Sequence, residues 1–367
     1  MKKKTRVLHV FGKMQRGGAE LRTIEVMEKL GGEIGFDFCA LSGESGVLDN
    51  KIKEMGGSTY YCKINYLFPY KFYKFLKKQK YDVVHSHVHY SSGLVVFIAG
   101  LAGINMRISH FRNTSDGQKK SLIRNLKIRI MKRWINKYST NILAVSEGAM
   151  ETAWHSNWKN DNRCKVIYNG INQQILGKET RELTYNELNI SEDTKVLIHV
   201  GRMVKQKNHI KVVRIFNEYL KYNNNSVLLM VGRREETIEN EIMNFARMNG
   251  IENKIIITGE RDDVIRLLSV SNLLIFPSMW EGLPGVVLEA LSVNTPVLAS
   301  DLPGINEISS LLPNTTVMDI NQSDIEWAKV LNRTLEKEIV NVNIDDTIFS
   351  INNNVSILKK LWNNEDY

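Results

Sequence analysis

The feature that most constrains this chain is an alternation of short apolar runs with helical stretches, carried through twice. Residues 6–11 (RVLHVF) form the first run. A glycine-bearing loop over 13–20 and a helical pattern over 21–30 follow, the strand–loop–helix start of a βαβ unit. Residues 82–86, 107–110, 142–146 and 165–168 read as further short buried strands. The pattern restarts at 195–201 and continues through 226–232, 254–259, 273–277 and 295–299, with helical stretches between. Such alternation favours a parallel sheet covered on both faces. Two blocks in tandem predict two doubly wound α/β domains. The turn at Tyr168-Asn169-Gly170 and the polar stretch after it, to about Asp193, read as the connecting segment. The expected division is residues 1–175, residues 176–345, and a final helix within 346–367 packing back on the first domain. Ligands of such sheets sit at the carboxyl ends of the strands. With two domains, that places the expected site in a cleft between them.

Bulk properties narrow the class. A chain of 367 residues with 43% hydrophobic content can build two ordinary cores. Cys39, Cys62 and Cys164 are scattered without metal-ligand spacing, as expected of a reducing compartment. The longest apolar stretch, about 93–104, is too short to span a membrane and is interrupted by glycine. The expectation is a soluble cytoplasmic protein. Charge is uneven: residues 1–175 carry 29 Lys and Arg against 13 Asp and Glu. The first half is therefore expected to meet something anionic, either nucleic acid or a membrane surface.

The strongest chemical signal is residues 281–289 (EGLPGVVLE), just after the run ending at Pro277. Two carboxylates bracket a glycine-proline turn and a helix start. A helix start offers unpaired N–H groups and a dipole that attract phosphate. By itself the pair fits a capped surface helix with two solvated glutamates better than a site. A second feature favours a site. Arg202 and Lys207 follow the strand run 195–201, so two cations stand at the carboxyl end of the same sheet. Arginine grips phosphate oxygens in pairs and lysine acts as a point charge.

Glu-x7-Glu around Gly-Leu-Pro-Gly, together with Gly201-Arg202-x4-Lys207, resembles the retaining GT-B glycosyltransferases of family 4, of the exopolysaccharide and capsule type. Gly17-Gly18-Ala-Glu20 resembles that family's amino-terminal Gly-Gly loop. Residues 168–172 (YNGIN) resemble its Pro-Asn-Gly-Val-Asp segment, with Tyr168 in place of proline. The resemblance implies a nucleotide-diphosphate-sugar donor, most often a UDP-sugar, and a saccharide or lipid-linked acceptor. It assigns the donor phosphates to Arg202 and Lys207, with Gly17, Gly18, Gly282 and Leu283 against the diphosphate or sugar. Glu289 takes the ribose hydroxyls, and Glu281 the hydroxyls of the transferred sugar. His110 falls beside the donor sugar and His87 on the acceptor side. The implied chemistry is a same-face substitution in which stabilising the departing diphosphate is the main catalytic effect. No Asp-x-Asp occurs, so no metal or other cofactor is expected.

Two features keep other readings open. His85, His87 and His89 alternate at a strand end, which would put three imidazoles on one face and permit a metal. His110 could also be an ordinary buried histidine. Residues 119–137 interleave eight Lys and Arg with Leu122, Ile123, Leu126, Ile130, Trp134 and Ile135. That is either a core-packed helix with a solvated charged face or an amphipathic helix resting on an anionic leaflet. A nucleotide-sugar 2-epimerase of the same fold is the rival enzyme. A basic nucleic-acid-binding protein is the rival of another class. No readout module or aromatic platform supports the latter, so nucleic acid is not expected as a partner.

Overall fold

The computed structural model describes residues 4–115, 117, 121–174, 176 and 179–365. The chain forms two compact units, Met1–Gly170 with Ile348–Tyr367, and Ile171–Thr347.

The first unit is built on seven strands: β1 Thr5–Phe11, β2 Ile34–Ala40, β3 Ser58–Tyr61, β4 Val83–Ser86, β5 Met106–Phe111, β6 Asn141–Ala144 and β7 Cys164–Val166. They pair in parallel in the order β3-β2-β1-β4-β5-β6-β7. The order reverses between β1 and β4, where Val7 faces Val83 and His9 faces His85. Alternate residues serve opposite faces. Val7, Val83 and Ile108 enter one core with the helices Gly18–Leu30 and Ile351–Trp362. Leu8, Val10 and Val84 enter the other, with Phe68–Gln79 and Ser92–Leu101. Continuous burial along β1 after its first two residues is what a sheet covered on both faces requires.

The tail helix expected over 348–362 starts at Ile351, where the Ser350 hydroxyl accepts from Asn352 N at 3.2 Å. It clasps the Asn-Gly turn. Asn354 Nδ2 donates to Tyr168 O at 2.6 Å, and a Cβ on Gly170 would lie 2.6 Å from Ile351 Cα.

The second unit has six strands: β8 Lys195–Val200, β9 Ser226–Val231, β10 Ile255–Gly259, β11 Leu273–Phe276, β12 Val297–Ser300 and β13 Thr315–Met318. They pair in parallel in the order β10-β9-β8-β11-β12-β13, reversing between β8 and β11. The helices His209–Tyr219 and Asp324–Leu335 cover one face around Phe216 and Trp327. The stretch read as a connecting segment is not all loop. It holds the helix Glu179–Glu187, whose Thr184 and Tyr185 are buried. Arg266 Nη1 donates to Thr184 Oγ1 at 3.0 Å, and Tyr185 OH to Val270 O at 3.3 Å. Charged residues surround those two buried positions in the sequence and dilute the apolar period.

Candidate functional site

In the second unit the loops after β8 and β11 leave neighbouring strands at the point where the strand order reverses, the usual ligand position of such sheets. They are tied together. Gln206 Nε2 donates to Trp280 O at 2.6 Å, Met279 N to Gln206 O at 2.8 Å, and Asn208 Nδ2 to Pro277 O at 3.2 Å. Lys207 sits in the short 3-10 turn Lys205–Lys207. Its Nζ reaches Glu281 Oε1 at 2.6 Å and lies 4.6 Å from the centre of the Phe276 ring. Only 18% of the Lys207 side chain and 9% of the Glu281 side chain are exposed, so this pair is held away from water.

Two glycines make the geometry possible. A Cβ on Gly201 would lie 3.0 Å from Lys207 Cγ, so the lysine stem runs across a bare backbone. A Cβ on Gly304 would collide with the Gly282 carbonyl, so the helix Pro303–Leu311 presses directly on the loop that carries Glu281. Gly282 and Leu283 are buried beneath it. Pro284 is extended, with φ −72° and ψ 111°, and the helix Gly285–Ser292 starts after it. Its N-cap residue, Pro284, makes no side-chain cap, and a helix start of this kind attracts anions. Glu289, one turn on and half-buried, folds back toward it: Oε1 lies 4.0 Å from where a Cβ of Gly285 would be. Arg202 is exposed, and its side chain makes no hydrogen bond or ion pair among the described residues.

In the first unit the loop after β1 ends at Gly17, which caps the helix Gly18–Leu30 through backbone alone. A methyl on Gly17 would run into the Glu20 carboxylate, whereas nothing lies within 4 Å of a Cβ on Gly18. Beside this loop, β1, β4 and β5 bring four histidines onto one face of the sheet. His9 Nδ1 and His87 Nε2 are 3.1 Å apart, and His85 Nε2 and His110 Nδ1 are 3.0 Å apart. Arg112 Nε donates to His87 Nδ1 at 3.1 Å and its Nη1 to Asn169 Oδ1 at 2.8 Å. Trp362 Nε1 donates to His85 Nδ1 at 3.3 Å. Burial, with the Arg112 charge nearby, lowers the pKa of His9 to about 3 and holds those of His85, His87 and His110 well below the usual imidazole value. Burial also brings the Arg112 guanidinium down to about 10, opposed by Glu20.

The alternating trio is corrected here. Strand β4 ends at Ser86, and His89 turns away with φ 50° to pack edge-on against Tyr90 and Phe111. His9 takes its place. Among the described residues, His9, His85 and His87 can each bring one ring nitrogen within 4.8 Å of the others. Both nitrogens of His85 and of His87 are already engaged by neighbouring groups. His9, Arg112 and Trp362 were not singled out from the sequence. A histidine inside the apolar run of β1 was the available signal for His9.

The basic segment is the helix Leu122–Tyr138, with Lys119 and Lys120 outside the described residues. Its second half packs: Ile135 is buried and Trp134 stacks on Phe97 at 4.7 Å. Its first half does not. Leu122, Ile123 and Leu126 are 87%, 84% and 57% exposed. Among the described residues no helix is long and apolar enough to cross a membrane.

The chain resembles known proteins over nearly its whole length. Residues 180–348 match the family described as Glycosyl transferases group 1, and residues 17–174 match Glycosyltransferase Family 4. The capsular polysaccharide biosynthesis glycosyltransferase CapH of Staphylococcus aureus is 32% identical over 97% of this chain and 98% of its own. The UDP-Gal:alpha-D-GlcNAc-diphosphoundecaprenol alpha-1,3-galactosyltransferase of Escherichia coli is 24% identical over 98% and 95%. Among solved structures, Anabaena HepE in complex with UDP-glucose superposes with a TM-score of 0.77 at 16% identity, over 97% of this chain and 94% of that one. This likeness shows the two-domain GT-B fold.

Proposed function

Given that this chain belongs to the family 4 glycosyltransferases, we propose that it is a retaining enzyme moving a hexose or N-acetylhexosamine from a UDP-sugar to a saccharide or lipid-linked acceptor in capsule or exopolysaccharide synthesis. The observation that carries the reading is the Lys207–Glu281 pair, 2.6 Å apart beside the helix start at Gly285. Exposed Arg202, Lys207 and the first amides of that helix supply positive charge for a diphosphate. Two cations and a helix terminus meet that need, so the proposed reaction calls for no metal. Glu289 takes the ribose hydroxyls. Glu281, oriented by Lys207, takes hydroxyls of the transferred sugar. Gly17, Gly18 and His110 carry over from the family as donor contacts, and His87 as an acceptor-side contact.

In the proposed step the bond from anomeric carbon to phosphate oxygen breaks and the diphosphate leaves with its electrons. The acceptor hydroxyl attacks from the vacated side, and its proton passes to a departing phosphate oxygen. Lys207, already held by Glu281, stabilises the leaving charge with little reorganisation, and Arg202 adds its charge to it. The donor and acceptor names of the relatives support this choice: HepE binds UDP-glucose, and the Escherichia coli enzyme acts on a diphosphoundecaprenol-linked sugar. Exposed Leu122, Ile123 and Leu126 beside Arg124, Lys127 and Arg129 support docking on an anionic leaflet that holds such an acceptor. The test is a thermal-shift panel of UDP, GDP, ADP and their sugars, followed by a transfer assay. A UDP-sugar should raise the melting temperature, and Glu281→Ala should abolish transfer while leaving the fold intact. Unchanged turnover in that variant would refute the assignment.

A further inference from the structure

The histidine quartet consists of two hydrogen-bonded chains of the same polarity, each starting at a group that can only donate. Indole N–H and guanidinium have no acceptor. Trp362 Nε1 donates to His85 Nδ1 at 3.3 Å, so the proton of neutral His85 must sit on Nε2. That N–H points at His110 Nδ1, 3.0 Å away, in rings only 8° from coplanar. His110 must then carry its own proton on Nε2. The second chain repeats the logic. Arg112 Nε donates to His87 Nδ1, His87 Nε2–H donates to His9 Nδ1, and His9 is left with Nε2–H.

Each chain therefore ends in a buried N–H, and among the described residues neither His9 Nε2 nor His110 Nε2 has a partner. A buried donor left unpaired is unfavourable and calls for an acceptor. His9 lines a cavity of about 10 Å³ with Arg22, Thr23 and Asn169, room for about one water molecule. His110 does not line that cavity.

We infer that Trp362 and His85 are positioning residues that hold His110 as its Nε2–H tautomer, so that the ring presents one N–H to an oxygen of the bound ligand. The tautomer follows from the geometry alone. That the oxygen is a hydroxyl of the transferred sugar rests on the function proposed above. A site built to donate to an oxygen discriminates against sugars lacking it.

The test uses the full chain labelled with 15N-histidine, with tautomers read from long-range 15N–1H correlations. Wild-type His85 and His110 should each show one tautomer, protonated at Nε2. Trp362→Phe keeps a ring to pack edge-on against His9 and Phe36 but removes the donor. Both histidines should then shift toward a mixture, with kcat/KM falling between about two- and tenfold. His85→Phe should release His110 as well, whereas His85→Gln, which keeps an N–H, should hold it. A wild-type His110 protonated at Nδ1, or a His110 signal unmoved in both Trp362→Phe and His85→Phe, overturns the inference. A shifted tautomer with unchanged turnover upholds the chain and instead removes His110 from the donor contacts. Lost turnover with an unmoved tautomer does the reverse.

Discussion

Acid should unfold this protein through its histidines before its carboxylates. His9, His85, His87 and His110 are neutral and buried on one face of the first sheet, and their folded pKa values are depressed, His9 to about 3. Unfolded imidazole titrates near 6.5. The unfolded chain therefore takes up protons that the folded chain refuses. The stability they contribute is complete above pH 6.5 and is lost as the pH falls below it. At pH 5 His9 costs about 2 kcal/mol, at about 1.4 kcal/mol per pH unit below 6.5. This figure is set by the unfolded state wherever the folded pKa lies below 5. His85, His87 and His110, lowered by the same burial, add to this loss in the same direction. In the second unit His209, brought down to about 4, adds about 2 kcal/mol, and His199, also lowered by burial, adds in the same direction. The assay is urea unfolding followed by tryptophan fluorescence and circular dichroism at pH 7.5, 6 and 5. The midpoint should collapse across that range, where carboxylates remain ionised. In His9→Phe, whose ring can stack on Phe36 and Phe38 as His9 does, the loss between pH 7.5 and 5 should shrink by about 2 kcal/mol. A midpoint constant down to pH 5, or an identical loss in His9→Phe, would refute the reasoning.

Three further outcomes are expected. Lys207→Met strands the Glu281 carboxylate, of which only 9% is exposed, and should cost about 3–5 kcal/mol. The double change Lys207→Met with Glu281→Gln should recover most of that loss, and strictly additive melting shifts would contradict the pairing. Gly304→Ala forces a methyl against the Gly282 carbonyl and should cost about 1–3 kcal/mol in thermal melts while raising the KM for the donor. An unaltered KM would show that the loop is not held from that side. Replacing exposed Leu122 and Ile123 with glutamate should leave the melting temperature within about 0.5 kcal/mol equivalents of wild type but reduce sedimentation with phosphatidylglycerol vesicles. Equal sedimentation would remove this helix from the membrane reading.

Strands at the sheet centres were legible because burial on both faces makes them largely apolar, as in β1, β8 and β11. β2, β3 and β13 were not, although β7 and β10, which also lie at sheet edges, were. β2 is interrupted by Gly35 and Asp37, β3 is exposed at both ends, and β13 is half-buried throughout. The residues of the second-unit site could be named from motif and spacing, but their pairing could not. Lys207 and Glu281 lie 74 positions apart and meet only because β8 and β11 are neighbours. The histidine face was hidden for the same reason. It depends on the register that sets His9 beside His85, and on Trp362 arriving from 277 positions downstream.

The clasp of the Ile351–Trp362 helix on the first unit has a consequence for synthesis. Leu358, Leu361 and Trp362 complete the core beneath β1, β4 and β5, yet the ribosome makes them only after every strand of the second unit. The amino-terminal sheet must wait with one apolar face uncovered while its successor is translated and folds. Its closing seam is made only after the whole second unit, so a truncation before Ile351 should yield a sound second half and a sticky, chaperone-bound first half.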